Sequence, residues 1–120
     1  MPVRSLSSSV LKWPDAATVR EALTRWGAQV ARHRPDLRRL GYIGSYARGD
    51  WGVGSDVDVI IVVEDSSVPF ERRAAEWDTA SLPVPADLLI YTEREWESLP
   101  SDSKFARTVR EEARWLVPAD

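Results

Sequence analysis

Hydrophobic residues recur near the start of this chain with the period of a helix. The series follows spacings of four, three and four residues: Val19, Leu23, Trp26 and Val30. Such spacing gives a helix one apolar face, and Asp15 is a suitable N-cap for it. The helix should end near Arg34, because Pro35 disfavours helical geometry in the residue before it. The pattern therefore predicts an amphipathic first helix between these two boundaries.

Three later segments have the character of strands: Leu37–Ile43, Val57–Val63 and Asp87–Tyr91. The second is apolar at every position except Asp58 and is mostly β-branched, so both of its faces should be covered. The glycine-rich stretch Gly49–Gly54 lies between the first two strands. It predicts a turn-rich connection rather than the interior of a helix.

Helices are expected around and after the third strand. One should begin at Ser67, end at residues 82–85 and place three apolar residues on its inner face: Phe70, Ala74 and Trp77. Thr92 and Glu95 have the spacing of a capping box, which opens a short helix. A terminal helix after Pro100 should carry four apolar residues on one side: Phe105, Val109, Ala113 and Leu116. The order of elements predicts an α/β protein of the α+β type, with a small mixed β-sheet flanked by helices.

Length and composition fit one domain over residues 1–120, with residues 1–13 as a flexible lead-in. The chain has no cysteine, which excludes a disulfide scaffold and a thiolate zinc site. Its longest apolar run, Val57–Val63, is far shorter than the roughly 20 residues of a membrane span. The N-terminus lacks the apolar core of a signal peptide. We therefore expect a cytoplasmic protein that does not act at a membrane.

Charge is distributed unevenly along the chain. Residues 1–48 contain nine lysines and arginines against three acidic residues, and residues 49–120 contain seven against sixteen. A basic half can attract phosphates, and an acidic half can hold a metal ion or face a basic partner, although solvated helix faces would also account for most of these charges. No basic tail, aromatic RNA-binding signature or zinc finger is present, so nucleic acid is not expected as the main ligand.

Asp56 and Asp58 stand two residues apart at the start of a strand, so their carboxylates project from the same face. Like charges at the rim of an apolar core repel each other. A divalent cation relieves the repulsion, and Mg²⁺ typically takes one or two carboxylates together with substrate phosphates. Taken alone, the pair is a weak signal for a metal site, and a solvated turn that contains two aspartates is the more ordinary explanation.

Gly44 and Ser45 follow the first strand. A glycine there lets the backbone approach a ligand closely, Ser45 can hold phosphate oxygens, and Arg48 can add a charge-assisted contact. By itself this segment also fits a β-turn with a capping serine. No Walker motif or nucleophile elbow is present. His33 is the only histidine, so a serine–histidine triad lacks support.

A third carboxylate would complete a site for two metal ions, and Asp87 is the best candidate. It opens the third strand after one crossover from Asp58, so a neighbouring strand can bring it beside the pair. A solvated aspartate on an edge strand is the alternative, and position alone does not separate the two.

The combined pattern is more specific than its parts. Gly-Ser-x-Ala-Arg-Gly from Gly44, followed by Ser-Asp-x-Asp ending at Asp58, resembles the signature of the DNA polymerase beta-type nucleotidyltransferase superfamily, in its minimal single-domain branch. This resemblance implies the nucleotidyltransferase fold. It also implies that Gly44, Ser45 and Arg48 bind the nucleotide.

By the same resemblance, Asp56, Asp58 and Asp87 would ligate two Mg²⁺ ions and carry catalysis, with ATP as substrate. Asp87 would also help to deprotonate the attacking hydroxyl.

The resemblance further implies that the chain transfers AMP, or another NMP, to an acceptor hydroxyl. The acceptor implied is a tyrosine of a HEPN-type toxin, for which this chain would act as antitoxin. Two alternatives stay open: a non-catalytic nucleotide-binding antitoxin or interaction module, and a small-molecule nucleotidyltransferase of the antibiotic-modifying type. Six tryptophans suit an interaction surface, and Trp51 is the one expected to be exposed. The sequence leaves open the acceptor, the preferred nucleotide, whether the chain forms an oligomer, and whether catalysis or contact alone neutralises a partner.

Overall fold

A computed structural model of the chain describes residues 13–118. The described part contains five α-helices and four strands. In chain order they are α1 (Ala16–His33), β1 (Leu37–Ile43), α2 (Ser45–Arg48), β2 (Val57–Val63), α3 (Phe70–Arg73) with a 3₁₀ turn (Ala74–Glu76), β3 (Ala86–Thr92), α4 (Glu93–Glu97), α5 (Lys104–Glu112) and β4 (Arg114–Val117). None of these helices is both long and apolar enough to cross a membrane.

The four strands form one mixed sheet in the order β3-β2-β1-β4. β1 pairs antiparallel with β2 and with β4, whereas β2 and β3 are parallel and in continuous register. This arrangement confirms the predicted fold class of a small mixed sheet flanked by helices. The parallel pair is what positions the candidate site, because both of its strands begin at the same edge of the sheet.

One face of the sheet carries the main core, and α1 packs on it. Its buried residues include Val19, Leu23 and Trp26 of α1 together with alternate residues of the central strands. β2 is buried at every position except Asp58, which is half-buried. Ile60 and Val62 lie on the same face of the strand as Asp58, opposite the main core, and both are buried. The prediction that both faces of this strand are covered is confirmed.

Local capping explains where several elements begin and end. The Asp15 side chain accepts a hydrogen bond from the Thr18 amide, and α1 ends at His33 with Arg34 as its C-cap, as the sequence predicts. Thr92 and Glu95 form both hydrogen bonds of a capping box at the start of α4. The predicted N-terminal lead-in lies outside the described residues except for Trp13, whose indole N–H donates to the Tyr46 hydroxyl at 2.7 Å.

The helix predicted from Ser67 is wrong in its start and in part of its inner face. α3 begins only at Phe70, with Pro69 as N-cap, because a proline disfavours helical geometry in the residue before it. Phe70 is 38% exposed, while Trp77 packs on the core and lies against Trp26 with ring centroids 6.3 Å apart. Only one α-helical turn and one 3₁₀ turn therefore replace the longer helix.

The terminal helix is shorter than predicted, and a fourth strand was missed. α5 ends at Glu112 because Ala113 takes extended geometry as its C-cap. Leu116, placed on the helix by its spacing, lies instead in β4 and is buried in the core on the α1 side of the sheet. A four-residue strand that continues a helical spacing of apolar residues leaves no separate signal in the sequence.

Candidate functional site

Asp58 and Asp87 lie directly opposite each other where the two parallel strands begin. Their Cα atoms are register partners in the β2–β3 pairing, which puts both carboxylates on one face of the sheet. Asp58 is half-buried, Asp87 is exposed, and Asp56 is exposed just before β2 begins. The strand pairing thus brings Asp87 beside the Asp-x-Asp pair, as the sequence predicts.

The half-buried carboxylate is electrostatically strained. Burial raises the pKa of Asp58 above its ordinary value, and the negative charges of Asp87 and Asp56 raise it further. The positive charge of Arg48 acts in the opposite direction. The Asp56 and Asp87 carboxylates thus disfavour ionisation of Asp58. Together the three provide hard oxygen donors for a divalent cation. They are not drawn together in advance: within residues 13–118, no three acidic or histidine side chains converge on a common point that would hold a metal ion.

Gly44 places the chain against Asp58 at the end of β1. Its φ is +90° and its ψ is −158°, a region that is essentially restricted to glycine. A Cβ at this position would lie 2.7 Å from Asp58 Oδ2. The backbone conformation therefore calls for glycine, and an added Cβ would also displace the Asp58 carboxylate. Its carbonyl oxygen accepts from the Ala47 and Arg48 amides, which closes the short turn of α2 that Ser45 opens.

Arg48 is held beside this turn by two carboxylates. Its Nε donates to Asp50 Oδ2 at 3.1 Å and its Nη1 donates to Glu112 Oε1 at 3.3 Å. The same Glu112 oxygen accepts from the Gly44 amide at 3.2 Å. Glu112 thus joins the two groups that the sequence assigns to phosphate binding. Sequence reasoning missed it, because a glutamate at the end of an amphipathic helix is indistinguishable from a solvated charge.

The glycine-rich loop is anchored by an aromatic pair. Trp51 stacks on Tyr46, with ring centroids 5.7 Å apart and planes 8° from parallel. Trp51 is half-buried and packs against the core, so the expectation that it is exposed is wrong. The exposed apolar side chain of this loop is Val53, which is 72% accessible. The tryptophan fixes the base of the loop, while its tip reaches solvent.

Taken together, the geometry places the sequence-predicted residues at one edge of the sheet. Gly44 leaves no room for a Cβ beside Asp58, which lies opposite Asp87. Asp56 is near enough to raise the Asp58 pKa, and Arg48 is near enough to lower it. Ser45 is the first residue of α2 and is half-buried. The chemical roles assigned to these residues remain predictions.

Comparison with known proteins adds a family and a fold. The family model described as a nucleotidyltransferase domain matches residues 28–116, well over half of the chain. A candidate nucleotidyltransferase from Sulfolobus solfataricus has a similar structure, with a TM-score of 0.58 and 19% identity over 83% of this chain and 80% of that one. A toxin–antitoxin structure with AMP-PNP superimposes with a TM-score of 0.50 and 18% identity, covering 78% of this chain and 71% of the other. No curated protein matches significantly in sequence.

Proposed function

This chain belongs to the nucleotidyltransferase domain family, and from that premise we propose that it transfers AMP, or another NMP, from a nucleoside triphosphate to a hydroxyl of a partner protein. The observation that carries the proposal is the pairing of Asp58 with Asp87, directly beside the Gly44 turn. We also take residues 1–120 as a single domain and the chain as a cytoplasmic protein.

Asp56, Asp58 and Asp87 would hold two Mg²⁺ ions. The donor set fits, because all three are carboxylates. Burial, together with the negative charges of Asp87 and Asp56, raises the pKa of Asp58, and a bound cation would offset this cost of ionisation. When bound, two such ions stabilise the attacking and leaving oxygens of an in-line displacement.

The nucleotide would lie on the Gly44 turn. Gly44 and Ser45 would bind the triphosphate. Because Gly44 carries no Cβ, the backbone there leaves room for close approach of the phosphates, and Arg48 supplies positive charge. In the reaction the acceptor oxygen forms a bond to the α-phosphorus, the bond from that phosphorus to the bridging oxygen breaks, and pyrophosphate leaves. Asp87 would take the proton of the acceptor hydroxyl.

The acceptor we propose is a tyrosine of a HEPN-type toxin, which makes this chain an antitoxin. The motif resemblance supports this role, and the same fold occurs in a toxin–antitoxin structure with AMP-PNP. A contact-only antitoxin is the second candidate. The intact Gly44-Ser45 and Asp56-x-Asp58 positions count against it.

The test uses ATP labelled separately on the α- and γ-phosphates, with Mg²⁺ and a toxin encoded beside this chain. We expect label to move from the α-phosphate but not from the γ-phosphate. Asp58→Asn should abolish transfer, whereas Asp102→Asn, a change at an exposed aspartate after α4, should not. Tight toxin binding without transfer of label would favour the contact-only antitoxin. Label arriving from the γ-phosphate would overturn nucleotidyl transfer.

A further inference from the structure

A groove opens on the face of the sheet opposite α1, between α4, α5 and β4. Its cavity has a volume of about 430 Å³, within the range of ligand sites in proteins. The residues that matter for its chemistry are Arg39, Trp96, Leu99, Val109, Arg110 and Trp115. Nothing in the proposed transfer reaction uses these side chains.

Two tryptophans and an arginine form the wall of the groove. The rings of Trp96 and Trp115 are perpendicular, with centroids 5.9 Å apart. The Arg39 guanidinium lies 3.7 Å from the Trp115 ring centroid and 5.9 Å from that of Trp96. Tryptophan and arginine are the side chains that contribute most often to the energy of protein interfaces.

The groove face of α5 is only partly covered. Phe105 and Val109 lie on the apolar side of this helix, yet no residue of α5 is fully buried. The Phe105 and Trp96 rings are perpendicular, with centroids 6.4 Å apart. These aromatic rings are therefore packed, while the groove beside Val109 stays open. An apolar side chain from outside would extend this packing.

The charges of the groove have one sign. Arg39 and Arg110 line it, and no carboxylate of residues 13–118 does. Four other arginines of the described chain form ion pairs: Arg34, Arg38, Arg48 and Arg73. Among residues 13–118, neither Arg39 nor Arg110 has such a partner, and Arg110 donates only to the Ser101 carbonyl oxygen. In a chain of net charge −3, this local excess of positive charge complements an acidic partner.

The last turn of α5 links the groove to the candidate site. Val109 and Arg110 line the groove, and Glu112, two residues after Arg110, contacts Gly44 and Arg48. One helical turn rises only about 5.4 Å. The last turn of α5 therefore reaches both the groove and the Gly44 turn beside Asp58.

We propose that this groove docks an acidic segment of the acceptor protein, in which an apolar side chain lies between carboxylates. The apolar side chain would pack between Trp96 and Val109, and the carboxylates would pair with Arg39 and Arg110. The proposal rests on the proposed function for the identity of the docked protein. The docking chemistry itself follows from the groove.

The test uses two peptide probes of equal length with one central phenylalanine, flanked on both sides by two glutamates or by two lysines. Binding is followed by the ¹⁵N–¹H signals of the indole groups, assigned with the Trp96→Phe and Trp115→Phe variants. We expect the acidic probe to shift the Trp96 and Trp115 signals and to bind at least tenfold more tightly than the basic probe. Equal affinity of the two probes, or shifts confined to other tryptophans, would overturn the proposal.

Three charge variants sharpen this test. Arg39→Gln and Arg110→Gln should each weaken binding of the acidic probe about threefold to tenfold. Arg107→Gln removes an equal charge from the same helix at an exposed position outside the groove, and it should leave binding unchanged. If all three substitutions weakened binding equally, general attraction to a basic surface would explain the binding, and the docking groove would be refuted.

A separate readout distinguishes failure of docking from failure of the proposed function. The probes bind without nucleotide, so their affinity does not depend on transfer. Arg39→Gln and Arg110→Gln should bind ATP as the unaltered protein does, and should raise the KM for the acceptor protein while sparing kcat. Probe binding without any nucleotide transfer would overturn the proposed function and leave the groove. Transfer with an unchanged KM for the acceptor would do the reverse.

Discussion

Replacing Gly44 by alanine tests the contact between the β1 turn and Asp58. The φ of +90° and ψ of −158° fall in a region that costs a residue with a Cβ on the order of 1–3 kcal/mol. The new Cβ would also stand 2.7 Å from Asp58 Oδ2, closer than nonbonded atoms allow. Because this oxygen is the end of a rotatable side chain, the carboxylate should turn away, so the larger effect is expected on the site.

Displacing a reacting group by about 1 Å can lower a rate by roughly 100-fold. We therefore expect Gly44→Ala to reduce nucleotidyl transfer by about that factor, while urea unfolding shows a loss of roughly 1–3 kcal/mol. The matched control is Gly49→Ala. Gly49 has a φ of +93°, but no atom of the described residues lies within 4 Å of its added Cβ. This control carries a backbone penalty without the clash, and it should keep most of the activity.

A double-mutant cycle separates the two costs. Combining Gly44→Ala with Asp58→Ala removes the clashing carboxylate, so the double variant should be more stable than the sum of the single changes predicts. Two results would contradict this reasoning: an equal loss of transfer in Gly44→Ala and Gly49→Ala, or activity of Gly44→Ala within threefold of the unaltered protein. Either would mean that the close approach of Gly44 to Asp58 does not affect transfer.

Three further predictions follow from the electrostatics of the fold. Glu95→Gln should destabilise the protein by roughly 2–3 kcal/mol. Arg73, which is 6% exposed, would lose the charged partner that its guanidinium contacts at 2.6 and 3.0 Å. The Glu95 side chain is 41% exposed, which keeps the effect below that of a fully buried pair. The pKa of Glu95 is lowered to about 2 from 4.5, so its stabilising contribution is complete above about pH 4.5 and is lost as the pH falls toward 2. Urea unfolding at pH 7 and pH 3 should show a smaller loss of stability on acidification in the variant than in the unaltered protein, and equal losses would contradict this. Asp58→Asn should raise stability at pH 7, because the raised pKa of Asp58 means that its ionised form opposes folding; added Mg²⁺ should stabilise the unaltered protein and not this variant, and a thermal-shift titration that finds both equally stabilised would exclude Asp58 as a ligand. Arg48→Ala should weaken ATP binding by about 1.5 kcal/mol, the low end for a charged hydrogen bond, because two carboxylates, one of them Glu112, already compete for its guanidinium; calorimetry showing unchanged affinity would make Arg48 a structural residue.

The parts of the fold that were predictable are those whose signal is local. The helix cap at Asp15 and the capping box at Thr92 depend on side chains within three residues of the backbone they satisfy. The strand Val57–Val63 was predicted with its observed bounds, because a β-branched run covered on both faces has few other solutions. Asp87 was placed correctly opposite Asp58 for a topological reason, since a single crossover between parallel strands aligns their first residues.

The parts that were missed depend on contacts distant in sequence. β4 is held by its pairing with β1, from Leu40 to Tyr42, and four residues of sequence do not encode that partner. Glu112 acquires its role only because the chain turns at Ala113 and returns along β1, which brings the end of α5 to Gly44. The aromatic stacking that buries Trp51 likewise requires Tyr46 in its folded position. Each error has the same origin: the sequence spacing was used where the environment depends on residues distant in the chain.

The last turn of α5 has a thermodynamic consequence of its own. Arg110 lies on the groove and Glu112 holds the Gly44 amide and Arg48, so one short rigid element touches both places. A docked segment that shifts this turn changes the geometry offered to the triphosphate, and the two binding free energies cease to be additive. Linkage then requires reciprocity: whatever factor the docked segment applies to nucleotide affinity, the nucleotide applies to docking. Such coupling would make the coupling free energy between the two sites, rather than either affinity alone, the quantity on which control of the partner depends.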